Sequence, residues 1–428
     1  MREAPLTLTT LAALVPDRDI DWRLVDGSVE RVPLDAHADL VGISVITGTA
    51  NEAYAMADHF RARGIPVVLG GVHVTILPDE AARHADSIVV GFAERAWPRL
   101  VADFRAGAMK RVYREIACDD DILRALPVPR RDLQRPMRYM MPNTVHATRG
   151  CRHTCDFCSV PTYCPSFTKR PVADVVDEVR RLPGRYFCFN DVSLADDPDY
   201  AHELFTALIP LKKRWGGLTT VEIVDNPALL DVMARSGCRY LLLGFESLNQ
   251  DNLRGNYKGF NKAVRYRDIV QTLHGHGISV QGCFVFGFDG DDSSVFRTTV
   301  DQVLDMRLDI PRYSIYTPYP GTLLFQRLQA EGRILSRNWD DYDTMHVVFR
   351  PRRMTPEVLY DGFKWAYRET FRMRQIVRRT AGADLRAVIN LAGNLAYRIF
   401  VRRLYHEPRF ARPCTPLPSD THRAEATA

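Results

Sequence analysis

Three cysteines lie within eight residues of one another and are the side chains of this sequence best suited to metal chemistry. Cys151, Cys155 and Cys158 follow the spacing Cys-x-x-x-Cys-x-x-Cys. Thiolates bind soft metals and iron–sulfur clusters, and three of them leave one position of a four-ligand centre open. A structural zinc site would need a fourth protein ligand, for which Cys164 and His153 are the nearby candidates.

The length and composition predict a large cytoplasmic protein. The chain has 428 residues, of which 46% are apolar and 25% charged, so two or three domains are expected. No apolar run approaches the roughly 18 residues of a membrane-spanning helix, and the N-terminus lacks the pattern of a signal peptide. Nine cysteines, three of them clustered, indicate a reducing compartment.

Positive charge is concentrated at the C-terminal end of the chain. Residues 350–428 contain sixteen Arg and Lys against seven Asp and Glu, although the net charge of the whole chain is only +5. Such a segment can contact nucleic acid or an anionic membrane. We favour a solvated helical face, expect no nucleic-acid partner, and leave open a peripheral membrane contact through the basic C-terminal helices.

The first 110 residues alternate strand and helix patterns. Buried-strand runs occupy residues 39–46, 65–69 and 87–90, and helical stretches separate them. This spacing predicts a parallel, doubly wound α/β sheet with a ligand site at the carboxyl ends of its strands. Polar residues and glycines near those ends are Ser44, Gly70, Gly71, His73 and Gly91.

A linker rich in Arg, Pro and Asp, residues 111–142, leads to a second α/β region over residues 143–340. Helical patterns separate most of its six strand patterns, which predicts a partial (βα)6 barrel with the cysteine loop after the first strand. The strand patterns cover residues 144–148, 186–190, 218–223, 240–245, 279–286 and 312–317. The loop 257–262, after the fourth strand, could place a Lys or an Asn over a bound cofactor, but a solvated loop is favoured.

Residues 341–415 are predicted to form a helical extension. Phe363, Tyr367, Phe371 and Ile376 recur at near-helical spacing, which is more typical of a core stripe than of a cofactor site. The final residues, 416–428, are rich in Pro, Thr and Ala and are predicted to be disordered.

The cysteine spacing, with Phe157 directly before the last cysteine, resembles the signature of the radical S-adenosylmethionine (SAM) superfamily. The motif Gly244-Phe245-Glu246-Ser247 and the element from Gly282 to Gly287 also resemble that family. The N-terminal region is similar to the cobalamin-binding domain of many such enzymes, although the usual first apolar strand is missing. The helical extension resembles that of a subgroup that includes hopanoid methylases.

The resemblance implies three cofactors and a set of residues that contact them. A [4Fe-4S] cluster would be held by the three cysteines, with SAM on its fourth iron. The residues implied for SAM are Phe157, Asn190, Asp191, Glu246, Gly282 and Gly287. Those implied for cobalamin are Ser44, Gly70, Gly71, His73 and Gly91. Asp191 could instead cap the following helix, and the glycines could serve ordinary turns.

The lower-axial-ligand motif Asp-x-His-x-x-Gly is absent in register, because Leu40 follows Asp35-Ala36-His37 where Gly is needed. Cobalamin is therefore expected to bind in its base-off form.

The resemblance implies a cobalamin-dependent C-methyltransferase that acts on an unactivated carbon of a small-molecule or lipid-like intermediate. Its partners would be that substrate and an electron donor such as flavodoxin or ferredoxin. The alternative is a non-methylating radical SAM enzyme that catalyses cyclisation, oxidation or rearrangement. A non-catalytic iron–sulfur or nucleic-acid-binding protein would leave the Glu246 and Gly282 elements without a purpose.

Overall fold

The structure is a computed structural model that describes residues 3–117, 119–380, 386–410 and 412–413. The predicted disordered segment 416–428 lies outside the described residues. The side chains of residues 386–389 are likewise outside the description.

The N-terminal region is a parallel sheet covered by helices on both faces. Its four strands are adjacent in the order β1-β2-β3-β4. The elements are α1 (Thr7–Leu14), β1 (Val41–Ser44), α2 (Ala50–Ala62), β2 (Val67–Gly70), α3 (Val72–Ile76), α4 (Pro78–Ala81), β3 (Ser87–Gly91), α5 (Ala93–Arg105), β4 (Val112–Glu115) and α6 (Asp120–Arg124).

Alternating side chains of this sheet face opposite layers, as the pleat of a strand requires. Val67 and Leu69 belong to the core formed with α2 and α3, whereas Val68 and Val89 pack with Trp97 of α5. Helix α1 contacts α5 on that second face. This arrangement confirms the predicted α/β class with helices on both faces. Among the described residues, no strand precedes β1.

The second region is the predicted barrel of six parallel strands, in the order β5-β8-β9-β10-β11-β12. Strands β6 and β7 form a separate antiparallel pair. The elements are β5 (Thr144–Val145), β6 (Thr148–Arg149), α7 (Val160–Tyr163), β7 (Thr168–Lys169), α8 (Val172–Arg181), β8 (Tyr186–Phe189), α9 (Pro198–Leu208), β9 (Arg214–Thr219), α10 (Pro227–Arg235), β10 (Cys238–Glu246), α11 (Gln250–Gly255), α12 (Tyr266–Gly275), β11 (Ser279–Phe286), α13 (Val295–Asp305), β12 (Ile310–Ile315) and α14 (Leu323–Ala330).

Three barrel strands begin earlier than predicted, and of these the fourth strand, β10, starts at Cys238 instead of residue 240. The third runs over β9 instead of 218–223, and Val221–Asp225 is a 3-10 helix. Gly216 and Gly217 suggest a turn in the sequence, but a Cβ on Gly216 would lie only 3.0 Å from the Tyr240 ring, so this glycine allows close strand packing. The sixth strand includes Pro311, which β12 tolerates because it lies at the edge of the sheet.

The predicted linker is packed against both regions. Arg131 forms an ion pair with the buried Glu178 of α8, with 2.5 Å between Nη2 and Oε1. Tyr139 donates a hydrogen bond to Asp26, and Met141 forms a β-bridge with Glu3. The domain limits themselves stay a prediction.

The C-terminal extension is helical, with α15 (Pro356–Thr370), α16 (Met373–Thr380) and α17 (Arg386–His406). Phe363, Tyr367, Phe371 and Ile376 are all buried, which confirms the predicted core stripe. The Tyr367 hydroxyl both accepts from and donates to the backbone of Tyr313, and thereby covers the free edge of β12. In the described part of the chain, no helix has the length and apolarity to cross a membrane.

Candidate active site

The cysteine loop leaves the barrel at the carboxyl end of its first strand and is fixed there by Asp191. The Asp191 carboxylate accepts hydrogen bonds from the backbone N–H of Ala147 at 3.0 Å, from the Thr148 N–H, and from the Thr148 hydroxyl at 2.7 Å. Asp191 is 2% exposed and does not cap a helix. Its carboxylate positions the strand that enters the loop, and its contact with SAM stays a prediction.

Gly150 makes the turn from β6 into the cysteine loop. Its φ is +81°, a value that L side chains rarely adopt, and a Cβ there would collide with the carbonyl oxygen of Ser166. The loop therefore begins at a position restricted to glycine.

The three thiols lie together in a largely buried loop. Cys155 is buried, whereas Cys151 and Cys158 are half-buried. Burial, with a smaller contribution from the nearby Cys158, raises the pKa of Cys151 to about 12 and that of Cys155 to about 11. Without iron these thiols are protonated at neutral pH, so cluster binding must release protons. Three clustered thiols in a loop held away from solvent fit a cluster bound by three cysteines.

The two candidates for a fourth protein ligand have other partners. The Cys164 thiol donates to the Ser166 carbonyl at 3.4 Å. His153 pairs with Glu222 at 2.9 Å and stacks on Phe260, with ring centroids 3.7 Å apart. Within the described ranges, no three His, Cys, Asp or Glu side chains are grouped closely enough to hold a single metal ion.

Glu246 ends β10 in a strained conformation beside the cysteines. Its φ is +63°, and a register shift separates Gly244 from Glu246. Its carboxylate forms an ion pair with Lys258 at 2.7 Å, and the two side chains are only 11% and 14% exposed. A non-glycine residue at positive φ costs about 1–3 kcal/mol and is concentrated at functional sites. This backbone conformation holds the Glu246 carboxylate at the barrel mouth, where the sequence predicted a SAM contact.

Lys258 belongs to the loop for which the sequence favoured solvent exposure over a cofactor contact. Its ammonium interacts electrostatically with Cys155 and Cys158 as well as with Glu246. Asn261 is fully buried and donates to the carbonyls of Gly244, at 2.8 Å, and Phe245. The solvated-loop prediction for residues 257–262 is therefore wrong for these two side chains. The signal in the sequence was a Lys and an Asn in the loop that follows the Glu246 motif.

The other predicted SAM residues occupy different environments. Phe157 packs against Phe288 and Tyr316, with centroids 6.2 and 6.0 Å away. The Asn190 backbone N–H donates to the Val145 carbonyl of β5 at 2.8 Å. Gly287 has a φ of +104° and donates its N–H to Asp291 at 3.0 Å.

Gly282 lies within β11, on the side that faces the helices. A Cβ there would lie 2.6 Å from Leu308 and 2.7 Å from Phe245, so packing alone explains the glycine. The structure thus gives Gly282 a core role below the strand end, and its adenine contact stays a prediction.

The predicted cobalamin residues lie near one another, at the carboxyl ends of strands β1, β2 and β3 of the N-terminal sheet. Ser44 pairs in register with Gly70, and Gly91 ends the next strand. The Thr75 hydroxyl connects the ends of β2 and β3, because it donates to the Gly71 carbonyl and accepts from the Gly91 N–H. Ser44 keeps an exposed surface there. Strand ends with two glycine turns, at φ +101° for Gly71 and +90° for Gly91, fit the approach of a large flat ligand.

His73 is fully buried and is bonded within the protein. Its ring nitrogens contact Thr47 at 3.2 Å and Glu80 at 3.3 Å. Glu80 also accepts from Trp339. Burial raises the pKa of Glu80, but hydrogen bonds from His73 and Trp339 outweigh it and leave the pKa below its usual range. His73 thus connects the sheet to residues beyond the barrel, and its contact with cobalamin stays a prediction.

The two strand-end sites are next to each other. Helix α3, which follows Gly71, contacts α7, which follows the cysteines. Glu94, just after β3, forms a 2.5 Å ion pair with Arg149, just before the cysteine loop. Two separate cofactor sites at one mouth are therefore compatible with the geometry.

Comparison with known protein families agrees with both regions. Residues 145–303 match the radical SAM superfamily, and residues 3–101 match the B12 binding domain. The chain is 34% identical to bacteriochlorophyllide d C-12(1)-methyltransferase of Chlorobaculum tepidum, over 89% of this chain and 85% of that protein. It is 28% identical to the bacteriochlorophyllide d C-8(2)-methyltransferase of the same organism, over 92% and 91%.

A solved structure shares the fold. The radical SAM methyltransferase TsrM from Kitasatospora setae, with cobalamin and a [4Fe-4S] cluster bound, has a TM-score of 0.65 and 18% identity, covering 77% of this chain and 75% of that one. The chain therefore belongs to the cobalamin-binding radical SAM methyltransferases. It is an enzyme of that family, whose cofactors are a [4Fe-4S] cluster, SAM and cobalamin.

Proposed function

We propose that this enzyme transfers a methyl group to an unactivated carbon on the periphery of a cyclic tetrapyrrole. The observation that carries the proposal is that two relatives, each aligned over about nine-tenths of this chain, are named for methylation of bacteriochlorophyllide d at different carbons. The shared substrate class supports a tetrapyrrole for this chain, whereas the differing positions leave the methylated carbon to experiment.

The residues of the barrel mouth have separable roles in this proposal. When bound, the cluster with SAM supplies a 5′-deoxyadenosyl radical, and cobalamin supplies the methyl group. Cys151, Cys155 and Cys158 would hold the cluster. Glu246 would accept hydrogen bonds from the SAM ammonium, since a charge-assisted bond holds that end of the molecule firmly. Lys258 orients the Glu246 carboxylate.

Aromatic side chains keep water away from this mouth. Phe288 and Tyr316 are buried beside the half-buried Phe157, and their ring centroids are 4.6 Å apart. The Tyr316 hydroxyl is bonded to Asn256 and does not point a free O–H at the site. Such a wall protects a radical from water and from competing hydrogen donors.

The test of the proposal is a reaction with an anaerobically reconstituted enzyme. We expect bacteriochlorophyllide d to gain the mass of one methylene group in the presence of SAM, cobalamin and a reductant. A hopanoid offered in parallel should stay unmodified. Methylation of the hopanoid alone would contradict the tetrapyrrole assignment.

Cobalamin is expected to bind in its base-off form. Protein produced with a cobalamin supply should be purified with bound corrinoid, and its absorbance spectrum should be that of the base-off form. The Ser44→Trp variant should lose most of the corrinoid, because the indole would occupy the space at the carboxyl end of β1. The Asp39→Trp variant, altered at an exposed position two residues before the same strand, is the matched control. A wild-type protein that binds no corrinoid on reconstitution would contradict the cobalamin site.

The protein partner and the cellular location belong to the same proposal. An electron donor such as flavodoxin or ferredoxin would supply the electron for SAM cleavage in the cytoplasm. A peripheral membrane contact is supported by the exposed apolar side chains of α17, Leu391, Leu395 and Ile399, which precede Arg402 and Arg403.

A further inference from the structure

The barrel interior contains an arginine, Arg312, on the edge strand β12. Along β12, Tyr313 and Ile315 are buried in the core formed with the helices, whereas Arg312 and Ser314 alternate with them and face the lumen. In the parallel register, Arg312 stands beside Cys283 of β11. The side chain therefore lies in the interior of the barrel.

The Arg312 guanidinium has no hydrogen bond or ion pair with any residue that the structure describes. Its electrostatic neighbours are Cys283, Tyr240, Tyr367 and Tyr397. Burial raises the pKa of each of these thiol and phenol groups, and that of Cys283 reaches about 12. They are neutral at pH 7, so none of them neutralises the positive charge.

The acidic side chain that interacts with Arg312 is Glu3, and it is engaged elsewhere. Its carboxylate is hydrogen-bonded to Cys188, and burial raises its pKa. No ion pair within bonding distance joins Glu3 to Arg312 in the described chain. The charge of Arg312 is thus left without a bonded counter-ion.

Other interior arginines of this protein have hydrogen-bonded partners. Arg379 is 4% exposed and donates to three backbone carbonyls and to Asn394. Arg170 is 5% exposed and is paired with Glu178 at 2.7 Å. Arg312 differs because it retains an exposed surface although protein side chains surround it. That combination is expected of a group lining an open internal cavity, since a buried charge needs a partner.

The residue row that contains Arg312 leads across the sheet to the barrel mouth. Cys283 stands in register with Gly244, and the Glu246–Lys258 pair folds over Gly244, where any Cβ would collide with the Glu246 carboxylate. Arg312 therefore lies two strands away from Glu246, the group proposed to hold SAM, and one residue row below it. A substrate that reaches the mouth can place a second functional group on this arginine.

We propose that Arg312 binds a carboxylate of the substrate by a bidentate, charge-assisted pair and so orients the reacting carbon. The inference rests on the proposed tetrapyrrole function, because a chlorophyllide carries a free propionate carboxylate. The planar guanidinium fork matches a carboxylate better than an ammonium does. An amide or ester at that position would leave the guanidinium unpaired.

Binding of bacteriochlorophyllide d and of its propionate methyl ester, measured by optical titration in the absence of turnover, tests this inference. The wild-type holoenzyme should bind the acid about 10–100-fold more tightly than the ester, because a charge-assisted pair is lost. Arg312→Gln should bind acid and ester equally, with ester affinity unchanged. Arg312→Lys should recover part of the preference, and Ser314→Ala, on the same strand and face, should keep all of it.

The acid–ester comparison in the wild type keeps the test decisive even if Arg312→Gln does not fold. Equal binding of acid and ester by the wild type would overturn the role of Arg312 while the tetrapyrrole function stands. Binding of neither compound would overturn the function and the inference together. A loss of SAM affinity in Arg312→Gln with the acid preference intact would assign the guanidinium to the SAM carboxylate and overturn the proposal.

Discussion

Replacing Cys151, Cys155 and Cys158 together by Ala abolishes the iron–sulfur cluster and, with it, all reductive cleavage of SAM. The reason is chemical, because the cysteine loop provides three thiolates and the nearby Cys164 and His153 are engaged with Ser166 and Glu222. Iron and sulfide analysis after anaerobic reconstitution should find four of each per wild-type chain and none in the variant, as a [4Fe-4S] cluster requires.

Cys164→Ala is the matched control for this variant. Its thiol is buried near the same loop but is predicted not to bind iron, so the cluster content should equal that of the wild type. Zinc in place of iron in the wild type, or a cluster that persists in the triple variant, would contradict the assignment of the three ligands.

Glu246→Ala lowers SAM affinity by about 10–100-fold and leaves the cluster intact, because one charge-assisted hydrogen bond is lost from the mouth. Equilibrium binding of SAM and the formation of 5′-deoxyadenosine measure the effect, and the absorbance of the cluster provides the control.

The ion pair complicates the single substitution, since removal of Glu246 leaves the Lys258 ammonium largely buried and unpaired. The double variant Glu246→Ala/Lys258→Met removes that strain. If the double variant recovers wild-type SAM affinity, Glu246 acts only by neutralising Lys258, and the direct contact with SAM is wrong.

The parts of the fold predicted best from the sequence were those with strong local signals. Strand β11, Ser279–Phe286, has the predicted limits because its apolar residues are bounded by clear helices. Strand β9 begins at Arg214 instead of residue 218, because its two glycines face Tyr240 and Phe189. Which residues a glycine faces depends on neighbouring strands, and a single sequence does not contain that information.

The residues of the site also divide into those that local sequence predicts and those whose role depends on the folded structure. Cysteine spacing was enough to predict the cluster ligands, because all three cysteines lie in one short loop. For Lys258 a solvated position was favoured, and Arg312 was missed, because the significance of each depends on contacts that form only in the folded chain. Lys258 matters through its pair with Glu246, twelve residues earlier, and Arg312 matters because the folded barrel leaves it without a counter-ion. Asp191 was noticed, but its hydrogen bonds to Ala147 and Thr148 arise only when β5 and β8 pair.

The central claim, radical-dependent methyl transfer, is tested most directly by the stoichiometry of the products of SAM during turnover. With bacteriochlorophyllide d, cobalamin and a reductant, we expect 5′-deoxyadenosine, S-adenosylhomocysteine and methylated product in equal amounts. One SAM would supply the radical and a second would supply the methyl group. Substrate-dependent 5′-deoxyadenosine without matching S-adenosylhomocysteine would contradict methyl transfer and indicate the non-methylating alternative.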